Sequence, residues 1–179
     1  HWITFFEAIE QSNISVTLAM FSTAAFFTSF IEPIFYKRNI VNYEVILGFL
    51  VVCGIFMIFN AEFQYLEGIL LGLISAFLAS LFSVLNGLMV KENSAITISF
   101  FEFISGVFFI SIFLIFNNEF SSVIIDDLFS LNYLYIFLLG SVCTAYAFMA
   151  SVYLLKYISP YSLVLTYNLE PIYGIILAL

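Results

Sequence analysis

The chain has 179 residues, of which 64% are apolar and 9% are charged, and its formal net charge is −8. A soluble domain is about half apolar and about a quarter charged, so a soluble globular enzyme is excluded. Disorder is excluded by the same apolar excess, and nucleic-acid binding by a count of four basic residues against twelve acidic ones.

What remains is an integral membrane protein, with a mean hydropathy of +1.15. Barrel strands alternate apolar and polar residues over about ten positions. The apolar runs here are about twice that long, the length of a membrane-spanning helix. The expected fold is all-α, a polytopic transmembrane helical bundle.

Taken in chain order, residues 1–11 read as the tail of a helix, and six spans follow at 14–36, 43–59, 66–90, 96–116, 132–157 and 160–179. The chain starts at His1 rather than Met and stops at Leu179 inside an apolar run, so it is expected to be a fragment of a longer protein. Polar breaks separate the spans at Ser12-Asn13, Lys37-Arg38-Asn39, Asn60-Ala61-Glu62, Lys91-Glu92-Asn93-Ser94 and Asn117-Asn118-Glu119. Ser159-Pro160 opens the last span, with proline suited to a first helical turn. The longest loop, 117–131, carries Glu119, Asp126 and Asp127 and reads as a solvated outer loop, with no histidine to suggest a metal. Cys53 and Cys143 each sit within an apolar stretch and read as small core residues without a disulfide.

Labelling the loops alternately by side puts Lys37, Arg38, Lys91 and Lys156 all on one side, which the positive-inside rule makes cytoplasmic. An internal likeness then emerges. Residues 9–31 align with 155–177, pairing Ile9 with Leu155, Asn13 with Ser159 and Phe21 with Tyr167. The two copies run in opposite directions, as inverted transporter repeats do. Glu-Pro-Ile triplets at Glu32 and Glu170 fall out of that register and read as coincidence.

Three stretches carry a family resemblance. Gly140-Ser141-Val142-Cys143-Thr144-Ala145-Tyr146-Ala147-Phe148 is similar to a Gly-Val-x-x-Thr-Ala-x-x-Tyr helix, Leu169-Glu170-Pro171-Ile172 to a Leu-Glu-Pro-Val motif, and Gly68 to Gly72 to the opening of a second repeat that here ends at Lys91. Together they resemble the EamA-type domain of the drug/metabolite transporter superfamily. The resemblance implies a ten-helix inverted-repeat transporter with cytoplasmic termini. Residues 1–65 would then end the first five-helix repeat, and 66–179 would supply most of the second. Helices 1, 2 and 10 would lie outside the chain.

Charges in the membrane interior need a reason, because a carboxylate there costs about 2.5–3.5 kcal/mol on insertion scales. Glu170 falls about ten residues into its span, roughly 15 Å deep at 1.5 Å per residue. Pro171 follows it and frees a backbone carbonyl. Glu170 is therefore expected to bind substrate or couple protons, with Asn168 beside it. Glu102, Tyr146 and Trp2 are further candidates for lining a cavity. Glu32 is expected to form an interfacial ion pair with Lys37 or Arg38, and Asn86 to play a similar structural part near the same side. The small residues Ser75, Ala76, Ala79, Ser80 and Ser83 are expected to form a close-packing stripe. The 24 phenylalanines are expected to face lipid.

No nucleotide-binding or cofactor fingerprint stands in the sequence. The expected function is a secondary active transporter, a permease exporting small metabolites by alternating access without a cofactor. The alternative is a non-catalytic structural subunit or non-functional fragment. A single histidine argues against a membrane enzyme. The expected partners are a small-molecule metabolite, the lipid bilayer and, at most, a second copy in a homodimer. The expected location is the plasma membrane, the bacterial inner membrane in particular. The orientation is testable: in intact cells, a membrane-impermeant thiol reagent is expected to label a cysteine placed in loop 117–131 and to spare one placed at Asn93. The reverse pattern would overturn it.

Overall fold

The structure is a computed structural model, and it describes residues 1–61, 63–116, 131–169 and 173. The described elements are helical. They are α1 (Trp2–Glu10), α2 (Ile14–Phe21), α3 (Ala24–Tyr36), α4 (Asn42–Ala61), a 3₁₀ turn (Phe63–Tyr65), α5 (Leu66–Met89), α6 (Ala95–Phe116), α7 (Leu131–Leu138), a π-helical segment (Leu139–Tyr146), α8 (Ala147–Leu154) and α9 (Pro160–Tyr167). Four stretches are long and apolar enough to cross a membrane: Ile14–Tyr36, Leu66–Met89, Ala95–Phe116 and Asn132–Leu154.

Two expected spans are not single continuous α-helices. The stretch 14–36 breaks at Ser22-Thr23. There the Thr23 amide donates to the Met20 carbonyl at 3.1 Å instead of reaching one residue further back. The Ser22 and Thr23 hydroxyls donate to the carbonyls of Leu18 and Met20 at 3.0 and 2.7 Å. Such back-bonding offers the backbone an alternative to the α-helical ladder. Stretch 132–157 contains the π-helical turns from Leu139, and its helix stops at Leu154. The last span is described as helical to Tyr167, with a turn at Asn168-Leu169. Loop acids Glu119, Asp126 and Asp127 and the candidate Glu170 lie outside the described residues.

The chain divides into two compact units, His1–Leu88 with Tyr157–Leu179, and Met89–Lys156. In the first unit, α5 is the central strut, and its packing face is made of small residues. Gly68 lies against Ser12 and the Ala8 carbonyl, Gly72 against Met20, and Gly87 against the Tyr36 hydroxyl and Pro160. Ser75 donates to the His1 carbonyl at 2.9 Å and Ser80 to the Ala24 carbonyl at 2.7 Å. Ser75, Ala76 and Ser80 are fully buried, as a close-packing stripe requires. Contacts that advance together along both helices make α5 parallel to α2–α3. Apolar packing fills the spaces between these polar contacts. Val16, Met20 and Ile69 form one cluster, and Ala24, Ala25, Ala76, Tyr161 and Val164 form another.

In the second unit, α6 packs on α8, with Phe103 and Phe148 rings 5.1 Å apart. Much of its surface is bare phenylalanine, with Phe108 and Phe109 more than half exposed. A lipid solvent would accommodate such side chains. On α6 the Ser105 hydroxyl donates to the Phe101 carbonyl at 2.8 Å and the Ser111 hydroxyl to the Val107 carbonyl at 2.7 Å, whereas the buried Ser99 Oγ has no partner among the described residues. Cys53 and Cys143 are free but exposed, which corrects the expectation of core positions. Apolar periodicity identifies a span without telling which of its faces meets a neighbouring helix.

The glycine contacts make a prediction. A Cβ at Gly72 would come within 2.8 Å of Met20 Cβ, whereas one at Gly54 meets nothing within 4 Å. Gly72→Ala should destabilise by about 1–3 kcal/mol through overpacking, and Gly54→Ala should be tolerated. Thermal unfolding of the purified protein in detergent checks this. Equal melting shifts would contradict it.

Candidate functional site

The most fully formed polar arrangement lies where α3 ends. Lys37 caps α3 in the left-handed conformation, with φ 51° and ψ 38°. This turn folds the chain back, so that Arg38 reaches the carboxylate of Glu32, six residues earlier. Arg38 Nε donates to Glu32 Oε1 at 3.0 Å, and Arg38 Nη2 donates to Glu44 Oε2 at 2.8 Å. Glu32 is 2% exposed and Glu44 5%. Burial alone would lower the Arg38 pKa, but the hydrogen bonds it donates to Glu44 and Glu32 outweigh it and hold the guanidinium above its ordinary value.

The other oxygen of Glu32 serves a different helix. The Tyr161 amide donates to Glu32 Oε2 at 2.8 Å across 129 residues of sequence. Pro160, without an N–H, opens α9, and Ser159 caps it by accepting from the Ser162 amide. Glu32 therefore takes one of the free amide donors that every helix start presents. Helix starts carry about half a positive charge. Glu32 sits at the start of α9 and Glu44 in the first turn of α4. The two helix ends thus offset the charge that one guanidinium leaves on two carboxylates.

Geometry around Glu32 also fixes directions. Tyr161 lies at Glu32, and Val164 lies with Ala24 and Ala25 further back along α3. α9 therefore runs antiparallel to α3. The end of α5 at Gly87, the Tyr36 hydroxyl and Pro160 meet at this same end. Ser83 and Asn86 of α5 are also buried here, and among the described residues Ser83 Oγ and Asn86 Oδ1 have no hydrogen-bond partner.

Trp2 opens α1 and is 41% exposed, its ring edge-on to that of His1. Asn168 is half-buried at the C-terminal cap of α9. Both belong to the first unit. Glu102, half-buried on α6, and Tyr146, an exposed residue ending the π-helical segment, belong to the second. Glu170 lies outside the described residues. The ion pair of Glu32 with Arg38 is as expected from sequence, but the capping of α9 is not. Its sequence signal is slight: a Ser-Pro helix start with free amides and a distant buried carboxylate that needs more than one partner.

Glu32→Ala leaves Arg38 paired with Glu44 and partly in water but orphans the buried Tyr161 amide, so it should destabilise the protein by about 1–3 kcal/mol, and Glu32→Gln by less, because an amide oxygen still accepts from Tyr161. Equal losses of thermal stability in the two variants would contradict the capping role.

Comparison with known proteins gives one family. Residues 66–179 match the model of the EamA-like transporter family. No curated protein and no solved structure matches the chain. The match spans α5 to α9, and with it goes the coarse reading of the chain as an integral membrane protein of transporter rather than enzyme stock. By this match over most of its length, the chain belongs to the EamA-like transporter family.

Proposed function

We propose that the chain is part of a secondary active carrier, a permease that exports small metabolites from the cell by alternating access. Family membership supports the transporter class. The observation that carries the two-sided mechanism is a likeness between two helix starts. Asn13 caps α2 by accepting from the Val16 amide, and Ser159 caps α9 by accepting from the Ser162 amide. Each helix then runs eight residues, to Phe21 and to Tyr167, and ends in a turn. These are the pairs that the sequence alignment joins, and α9 runs opposite to the α2–α3 stretch. Two like elements of opposite direction are what an inverted repeat supplies, and such repeats rock about a site near the bilayer midplane.

Eight residues at 1.5 Å each bring both helices about 12 Å in from opposite ends. Their terminal turns, at Ser22-Thr23 and at Asn168-Leu169, therefore approach mid-depth from both sides. Glu170 follows Asn168 by two positions in the sequence, and Glu102 stands on α6. We assign these two carboxylates to proton coupling, with Asn168, Tyr146 and Trp2 as substrate contacts. The basic loops face the cytoplasm, and the membrane is the plasma membrane. The test uses the full-length protein in proteoliposomes. Glu170→Gln or Glu102→Gln should lower proton-driven flux at least tenfold and flatten its pH dependence. Unchanged flux and an unchanged pH profile in both variants would overturn the assignment.

A further inference from the structure

Behind the Glu32 carboxylate, toward the middle of the helices, the packing is apolar: Ala24 and Ala25 of α3 and Ala76 of α5 cluster with Tyr161 and Val164 of α9, and Phe21 and Phe27 pack against them. In lipid such packing has little hydrophobic driving force, because the surrounding chains are as apolar as the residues themselves. The polar contacts at the end of the helices then become decisive. Glu32 joins three elements: α3, which carries it; α9, through the Tyr161 amide; and α4, through Arg38 and Glu44. Tyr36, Gly87 and Pro160 close the same end against α5.

The position of Arg38 distinguishes a gate from a permanent weld. Its side chain is 26% exposed, against 3% for that of Glu32. It lies on the turn between α3 and α4, outside both helices, where water reaches it. If α9 moves off α3 at this end, the opening admits water to Glu32, Arg38 and the Tyr161 amide together. Each regains partners, so none is left as a buried orphan. The same groups placed at mid-depth would have no such recourse. A contact that is specific when closed and solvated when open suits a reversible closure.

We infer that Glu32, Arg38 and Glu44 form the gate that closes the basic-loop end of the carrier, and that α9 parts from α3 there during the transport cycle. Glu32 is thus a positioning residue, acting through α9, which carries Asn168. The inference rests on the carrier reading, but its test does not measure transport.

Val164, 2% exposed, lies behind the gate and reports on it. In the full-length protein with Cys53 and Cys143 replaced by alanine, Val164→Cys is exposed to a membrane-impermeant maleimide from the basic-loop side. Glu32→Ala and Arg38→Gln should speed labelling at least tenfold, and Glu32→Gln less, since its amide still caps α9. The exchange Glu32→Arg with Arg38→Glu restores an ion pair but puts a cation at the start of α9, so labelling should stay fast. A second reporter, Val16→Cys, is buried at the far end of α2 and should stay slow throughout.

Unchanged labelling of Val164→Cys in both Glu32→Ala and Arg38→Gln would overturn the gate. So would equal acceleration at Val16→Cys, which marks general loosening, while rescue by the exchanged pair would overturn the part assigned to the Tyr161 amide. If Glu32→Ala fails to fold, Glu32→Gln and Arg38→Gln decide between the same outcomes. Failure of the wild-type protein to transport in proteoliposomes would overturn the carrier reading alone.

Discussion

The first unit depends on a demand of burial: a backbone amide at a buried helix start must find a partner, because one left unpaired away from water costs free energy. In α9 the demand at Tyr161 is met by a carboxylate from α3, and that carboxylate in turn needs a cation. Arg38 supplies it, held by the left-handed turn at Lys37 and shared with Glu44. A helix cap thus becomes a junction of three helices. A buried charge pair is weak evidence for stability in itself. Here its role is specificity, since it sets which end of α9 meets which end of α3.

The second organising feature is the small-residue face of α5. Gly68, Gly72, Ser75, Ala76, Ser80 and Gly87 let α1, α2, α3 and α9 approach one helix closely, and serine hydroxyls add hydrogen bonds to carbonyls across the seam. Backbones that pack this closely gain van der Waals contact, which lipid does not supply to the same degree. Polar bonds tie the α3–α9 contact at one end, while apolar side chains line it further in. The proposed parting of α9 from α3 draws on this uneven distribution.

Much of the fold was legible in the sequence. A run of some twenty apolar residues has few alternatives to a membrane helix, and the polar breaks fall close to the observed helix ends. Asn13 and Ser159 stand at polar breaks in the sequence, and each caps the helix that follows, because capping is a local chemistry of such residues. The break at Ser22-Thr23 was not legible, since hydroxyls that bond back to their own helix look, in sequence, like hydroxyls that do not. The π-helical turns from Leu139 were hidden for a similar reason, being a change of backbone pairing with little side-chain signature. The Glu32–Arg38 pair was legible because six residues across one turn bring them together. Its reach to Tyr161 was not, because 129 residues of chain intervene. Among the candidates that depth alone suggested, Tyr146 and Trp2 are exposed within their units. Depth in a span measures the cost of a polar group but not the direction it faces.

A carrier whose site is reached from one side at a time, as proposed for this chain, shows counterflow. The full-length protein is reconstituted in proteoliposomes preloaded with single metabolites, and uptake of the labelled compound is followed without an imposed gradient. Saturable uptake of at least one small metabolite is expected, accelerated several-fold by the unlabelled compound inside. Uptake that rises linearly with concentration and ignores the internal compound, across a broad panel of metabolites, would contradict it.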